Sequence, residues 1–352
     1  MKLFVDVADF LPENVGQSTI FDHLRKLSMD YLFLILGLAV LIVGGEFLVK
    51  GAVGCSAAFK ISPLVIGMTV VSFGTSAPEL LVSLQSALDG NPGIAVGNVV
   101  GSNIANIALV LGITVIIFPI IAERQTKFID YPMMVLACVL FYLFALDNII
   151  ELWEGIILFG ILVTFTTYLV VNSRKKTKKA QAEADDDEYK DALKYPIWKS
   201  IVFLLIGLVA LYFGSEWFVD GAVGIAEVLL EGNPDKDSII GVTVVAFGTS
   251  APELVASIVA AVRKQSDISL GNLIGSNIFN VFAVIGITSI VKPIDVSDQV
   301  LEFDMYWMLG IVFLLIPILL FGKRIGRLKG FILFGTYAAY VAVIIMQIKG
   351  AI

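Results

Sequence analysis

Apolar residues gather along this chain into ten long runs separated by short polar breaks. They lie near 30–57, 61–87, 94–118, 128–146, 150–171, 198–226, 238–262, 268–291, 303–321 and 328–348. Each has, or nearly has, the roughly 20 residues that a helix needs to cross a hydrocarbon layer about 30 Å thick. The pattern therefore predicts an all-α membrane protein of ten transmembrane helices. Composition agrees: 58% of the 352 residues are hydrophobic and mean hydropathy is +0.90, against about 45–50% apolar residues in a soluble domain.

Two polar stretches fall outside the runs. Residues 1–29 carry Asp6, Asp9, Glu13 and Asp22 and lack the basic start and apolar core of a signal peptide. Leu3, Phe4, Val7, Phe10 and Leu11 recur at helical spacing, so this segment reads either as a short interfacial helix or as a tail. Residues 172–199 contain RKKTKKAQAEADDDEYKD, a charged linker without apolar periodicity. A polar connector is its simplest role. The run Asp185, Asp186, Asp187, Glu188 raises a calcium-sensing loop, but no Gly stands where an EF-hand needs one.

The polar positions inside the runs repeat. Gly67–Gly112 aligns with Gly241–Gly286 without a gap at an offset of 174 (241 − 67), and 24 of 46 positions are identical. Most of the polar identities are Gly, Pro, Ser, Thr, Asn and one Glu, residues that are costly or disruptive in a spanning helix. A weaker match continues upstream at an offset of 170: Gly44, Gly45, Glu46, Gly51 and Gly54 correspond to Gly214, Ser215, Glu216, Gly221 and Gly224. Internal repetition of this kind sets the architecture. It divides the chain into an N-terminal segment (1–29), a first five-helix unit (30–171), the linker (172–199) and a second five-helix unit (200–352).

Basic residues orient it. Loops on the linker side hold 17 Lys and Arg, the opposite loops hold 6, and Lys50 lies within the first run. The positive-inside rule puts the linker in the cytoplasm and both termini outside. Five spans separate matching points of the two copies, so the second is inverted relative to the first.

The chemistry sits in two motifs. GTSAPE occurs at Gly74–Glu79 and Gly248–Glu253. Pro78 and Pro252 lack an N–H and collide with the carbonyls of Gly74 and Gly248, which predicts a broken helix in each copy. Freed carbonyls at membrane depth survive where they line a cavity or ligate something. Thr75, Ser76 and Glu79, with Thr249, Ser250 and Glu253, add hydroxyl and carboxylate oxygens. Such hard donors suit Ca²⁺ and Na⁺, not Zn²⁺ or Cu⁺. Two facing carboxylates would repel unless a cation lies between them or one takes a proton. GNxxGSNxxN follows at Gly97–Asn106 and Gly271–Asn280. Asn98, Ser102 and Asn106 form one stripe on a helix. Asn98 and Asn272 read as packing contacts; Ser102, Asn106, Ser276 and Asn280 read as ligands; Asn103 and Asn277 carry no assignment. Glu46 and Glu216 read either as a second acidic pair along an ion path or as locally paired groups, with Lys50 one candidate partner.

Cys55 and Cys138 lie in apolar runs without CxxC spacing, and the single histidine, His23, is in the polar N-terminal segment. That leaves no intramembrane His base and no resident cofactor. Nucleic-acid binding has no support in the chain, and no feature calls for an obligate protein partner, so a monomer in the bilayer is expected.

With both GTSAPE…GNxxGSNxxN blocks complete, the chain resembles the sodium/calcium exchanger family of cation/calcium antiporters, in its short-linker prokaryotic form. The resemblance implies that the blocks are alpha-repeats forming a four-helix core for one Ca²⁺ and several Na⁺. It implies ligands at Thr75, Ser76, Glu79, Ser102, Asn106, Thr249, Ser250, Glu253, Ser276 and Asn280, with backbone carbonyls at Ser72 and Ala246. It also implies that the first and sixth spans slide across the core, with Gly44, Gly45, Gly51, Gly54, Gly214, Gly221 and Gly224 giving them a smooth face. Some relatives carry Asp where this chain has Asn106 or Asn280. With two core carboxylates, one Ca²⁺ neutralises the site and three Na⁺ leave it at +1, and potassium dependence loses its extra acid. The expected activity is Na⁺/Ca²⁺ antiport by alternating access, in the direction of Ca²⁺ extrusion from a prokaryote across its inner membrane. H⁺/Ca²⁺ exchange is the main alternative and a cation channel a lesser one. An intramembrane hydrolase using Ser76 or Ser250 lacks a base in the spans.

Overall fold

The computed structural model describes residues 17–183, 196–230, 236, 240, 246–322 and 324–349. The interfacial-helix reading of residues 3–11, the acidic run 185–188 and the opening of the second repeat, 241–245, lie outside them. Helices account for nearly all of the rest. They are α1 (Gln17–Phe59), α2 (Pro63–Thr75), α3 (Ala77–Leu88), α4 (Pro92–Ile117), α5 (Thr126–Phe144), α6 (Leu152–Glu183), α7 (Ile197–Leu229), α8 (Ala251–Val262), α9 (Ser266–Val291), α10 (Val300–Leu320) and α11 (Arg327–Ile348). A two-stranded antiparallel pair, Ile149–Ile150 against Ile294–Asp295, ties two loops together.

Among the described residues, eight helices are long and apolar enough to cross a membrane, and α2 with α3 make a ninth span bent by 43°. α8, at 12 residues, is shorter. It follows the single turn Ala246–Thr249, as α3 follows the end of α2, but most of the segment before that turn lies outside the described residues. The sixth run behaves as read, beginning at Ile197. The fifth does not stop at 171: α6 carries on through the Lys-rich start of the linker to Glu183. Those residues are good helix formers, and a helix already nucleated in the bilayer extends through them cheaply.

Helices α4 and α9 are the buried ones, with 78% of an 18-residue apolar stretch of each buried, against 17–39% for the outer helices. Exposed Leu, Ile, Phe and Val side chains, such as Ile35, Leu81, Phe128, Val209 and Phe331, populate the periphery, as lipid-facing positions must. Both buried helices widen to a π-type turn at matching places, Ala105–Leu111 and Asn280–Ile285. Each turn starts at, or one residue before, the last Asn of the motif. A widened turn re-aims side chains and is frequent at functional sites.

α1 packs along α7 more extensively than any other two elements meet. The glycines read as a smooth face toward the core lie mostly in this seam instead. A Cβ on Gly44 would stand 2.9 Å from the Leu211 nitrogen, and one on Gly214 would stand 2.8 Å from the Leu41 nitrogen. Gly51 abuts Leu204, Gly54 abuts Ser200, and Gly221 and Gly224 abut Leu34 and Asp30. Gly45 alone faces the core, meeting Val255 and Val259 of α8. The pairing is reciprocal: Gly37 meets the Gly214 carbonyl and Gly214 meets the Gly37 carbonyl. Small residues draw the two backbones together because, without a hydrophobic driving force in lipid, close packing supplies the attraction.

This seam predicts a position-specific response to the smallest side chain. Gly44→Ala and Gly214→Ala should each destabilise the protein by about 1–3 kcal/mol through overpacking. Gly335→Ala on α11, where a Cβ meets nothing within 4 Å, should be neutral or stabilising. Thermal unfolding in detergent micelles distinguishes them; equal midpoints would mean the seam is slack.

Candidate functional site

The break in each copy comes at a serine. Ser76 has φ −91° and ψ 4°, and Ser250 has φ −89° and ψ 4°. These near-identical bridge conformations set Pro78 and Pro252 in the first turn of α3 and α8, where a proline fits. Glu79 and Glu253 follow immediately, in the positive end of the helix dipole. Glu79 is 2% exposed and Glu253 not at all, and neither oxygen of either carboxyl has a hydrogen-bond partner.

The two carboxyls are close enough for their charges to repel, and Glu253 lies beside Thr75 and Ser76 of the other copy. The helices cross over between copies. α3 packs on the widened turn Asn280–Ile285, and α8 on Ala105–Leu111. Glu79 is thus set against the second copy's Asn stripe and Glu253 against the first's.

The other sequence-selected positions gather here. Ser72, Thr75, Ser76, Ser102, Asn106, Ser250, Ser276 and Asn280 are all buried. The Ser76 and Ser250 hydroxyls, both polar atoms of the Asn106 amide and the Asn280 Oδ1 have no partner. The Thr75 hydroxyl lies 3.2 Å from Asn272 Oδ1 and 3.4 Å from the Ser276 hydroxyl. Thr249 lines the adjoining cavity with Glu79 and Pro252. The Ser72 carbonyl accepts the Ser76 N–H at 2.9 Å and lies 3.4 Å from the Thr75 hydroxyl. Ala246 opens the turn before Ser250.

Other groups behave as supports. Asn98 donates to the Ser83 hydroxyl at 2.9 Å and to the Glu79 carbonyl at 3.2 Å, fixing α3 on α4. Asn272 does the matching job with Ser257, at 3.3 Å, and its side-chain carbonyl oxygen also meets Thr75. The unassigned Asn103 accepts from the Asn280 amide at 3.2 Å, and Asn277 donates to the Leu273 carbonyl at 2.8 Å. Sequence reasoning missed Ser215. Its hydroxyl donates at 2.8 Å to the Gly248 carbonyl, the one that Pro252 sets free. The aligned position on α1 is Gly45, which has no hydroxyl to offer the Gly74 carbonyl. The signal was present as the one polar difference within an otherwise shared Gly-x-Glu pattern. The two readings of Glu46 are also decided: its carboxylate takes the Arg263 guanidinium as a fork, at 2.9 and 2.7 Å, rather than Lys50.

Among the described residues no Lys, Arg or His side chain is buried, and no group of three or more His, Cys, Asp and Glu side chains is arranged to hold a metal. What remains is two carboxylates amid hydroxyl, amide and backbone oxygens. That donor set fits a hard, weakly polarising cation that accepts neutral oxygens.

Comparison with known proteins agrees with this chemistry. Residues 29–171 and 199–346 match the family model described as sodium/calcium exchanger protein. The chain belongs to the sodium/calcium exchanger family. It is 37% identical over 317 residues to a putative antiporter, CaxA, of Alkalimonas amylolytica, covering 88% of this chain and 96% of that one. It is 32% identical over 350 residues to the sodium/calcium exchanger MaX1 of Methanosarcina acetivorans, covering 90% and 99%. The solved structure of the exchanger NCX_Mj, soaked without Na⁺ and Ca²⁺, superposes with a TM-score of 0.75 at 30% identity over 90% of this chain and 99% of that one. As a member of an exchanger family, this chain is a multi-pass membrane transporter.

The Ser215 contact makes a prediction within this family fold. Ser215→Ala removes the donor to Gly248 and should lower stability by about 1 kcal/mol, read as a reduced thermal midpoint. Adding a hydroxyl at the aligned position, by Gly45→Ser, should not compensate, because Gly45 faces Val255 and Val259 rather than the Gly74 carbonyl.

Proposed function

We propose that this protein is a secondary antiporter that exchanges Na⁺ for Ca²⁺, with the Na⁺ gradient driving Ca²⁺ out of a prokaryotic cell across its inner membrane. One observation carries the reading: Glu79 and Glu253 are buried near one another with no hydrogen-bond partner on any carboxylate oxygen. No buried base offsets them among the described residues. Removing a carboxylate from water costs several kcal/mol, and a second one nearby adds repulsion. A Ca²⁺ between them cancels both charges. Na⁺ ions distributed over the carboxylates, Thr75, Ser76, Ser102, Asn106, Thr249, Ser250, Ser276 and Asn280, with the Ser72 and Ala246 carbonyls, do the same piecemeal. The two ions therefore compete for one nest.

The same reading makes the chain ten spans in two inverted five-helix repeats, with the linker in the cytoplasm and both termini outside. The α1–α7 pair is the part that moves against the core, carrying its glycines in its own seam. Occupancy of the nest by one Ca²⁺ brings its −2 charge to zero and by three Na⁺ to +1, so either ion set lowers the charge that otherwise opposes passage of the core beside an apolar surface.

The test is ⁴⁵Ca²⁺ uptake into proteoliposomes under an imposed Na⁺ gradient, with Na⁺ then replaced by Li⁺, K⁺ or H⁺. Only Na⁺ should drive uptake. Uptake driven equally by a proton gradient would favour H⁺/Ca²⁺ exchange, and uptake needing no counter-ion would favour a channel. Glu79→Gln and Glu253→Gln should each lower Na⁺-driven uptake at least about 100-fold, the loss of one charged ligand to a divalent ion. In ion-free buffer both variants should be at least as heat-stable as the parent, since each removes an uncompensated buried charge. Full exchange in either variant would remove that carboxylate from the site.

A further inference from the structure

We propose that Glu216 and Asp220 on α7 form a collecting subsite for divalent cations at one mouth of the core, and that the other mouth has no equivalent. The proposal rests on the exchange reading above.

A cavity of about 210 Å³ reaches from these two side chains to Glu79, with Asn98, Thr249 and Pro252 along its wall. Glu216 and Asp220 are four residues apart and so stand one turn apart on one face of α7. Both are exposed, and neither is paired with a basic side chain among the described residues. The floor of the same cavity bears Glu79, 2% exposed with both carboxylate oxygens unpartnered. A cation arriving between Glu216 and Asp220 therefore meets unbound carboxylate oxygen at both ends of the cavity.

The aligned positions in the other copy are built differently. Glu216 corresponds to Glu46 (216 − 46 = 170) and Asp220 to Lys50 (220 − 50 = 170). Glu46 is held by the Arg263 fork at 2.9 and 2.7 Å. The first-copy counterpart of Arg263 is Asp89 (263 − 174 = 89), whose carboxylate accepts from Gln85 at 2.8 Å. Glu216 and Asp220 thus bring −2 to this cavity, whereas the aligned Glu46 and Lys50, with the Arg263 that holds Glu46, sum to +1. The fold repeats, but the charge does not.

An acidic mouth with low-dielectric walls concentrates cations, divalent ones more strongly than monovalent ones. Two exposed carboxylates hold Ca²⁺ loosely, with most of its water retained, which suits delivery rather than storage. The effect belongs to the face opposite the linker and fades as salt screens it.

The experiment measures Na⁺-driven ⁴⁵Ca²⁺ uptake against Ca²⁺ concentration in vesicles sorted by orientation, at low ionic strength and again with added choline chloride. In the E216Q/D220N double variant, half-saturating Ca²⁺ at the face opposite the linker should rise about 3–10-fold at low salt, a range typical of steering by a few charges. It should approach the parent value at high salt, while the linker face stays unchanged. E216D/D220E, which keeps both charges, should behave as the parent and shows that the helix tolerates substitution there. D220K, which copies the charge at the linker-side mouth, should exceed the effect of D220N. Parental half-saturation in E216Q/D220N, or an equal rise at both faces, would overturn the subsite. Absence of Na⁺-driven uptake in the parent would instead overturn the exchange reading, and the subsite with it.

Discussion

A carboxylate taken out of water loses hydration worth several kcal/mol, and protein dipoles return only part of it. Here two are buried in one place, and the surrounding groups leave all four of their oxygens without a hydrogen bond. A fold selected for stability alone would replace them with hydrocarbon of equal volume. The rest of the core is arranged to keep the strain local. Helix dipoles point their positive ends at each Glu, and the prolines stop the preceding helix just short of it. Asn98 and Asn272 pin the short helices to α4 and α9. The site is braced by its neighbours and electrostatically incomplete, and the proposed ion would complete it.

The same constraint bears on how polar groups in the core are met. Hydroxyls such as those of Thr114 and Ser289 are satisfied by carbonyls of their own helices, and Asn103 accepts from the Asn280 amide. Unpartnered groups occur elsewhere too, on Ser200, Ser269 and Thr288 among others, but the repeated motifs contribute Ser76, Ser250, Asn106 and Asn280. An orphaned buried hydroxyl costs about 1–3 kcal/mol, so a group of them beside two uncompensated acids marks where the missing partner belongs. The α1–α7 seam is the opposite case. Most close approaches there set backbone against glycine, with no vacancy to fill. A tight pair beside an incomplete core is the mechanical division that the proposed alternating access would need.

Near-symmetry with selective departures recurs in the structure. Ser76 and Ser250 share one backbone conformation within a few degrees. Yet Ser215 caps the Gly248 carbonyl where Gly45 leaves the Gly74 carbonyl without a hydroxyl, and Arg263 neutralises Glu46 where Glu216 opens on a cavity. Such differences allow two halves with one fold to face two different solutions.

The sequence by itself determined the all-helical membrane class, the duplicated blocks and the oxygen-donor character of the site. Those follow from hydropathy, from proline and from the cost of Glu in an apolar run, all local properties. It also indicated that the carboxyls would share a space, because an inverted duplication brings equivalent positions together. Only the tertiary structure decided which faces the glycines present, since a helix has no local preference between a partner helix and the core. Only the structure matched Glu46 with Arg263, 217 residues away, over the nearby Lys50, because a charge-assisted hydrogen bond depends on where the helices meet and not on sequence proximity. It likewise decided that Ser215 belongs to the site's support, which depends on distances between helices that no single run of residues encodes.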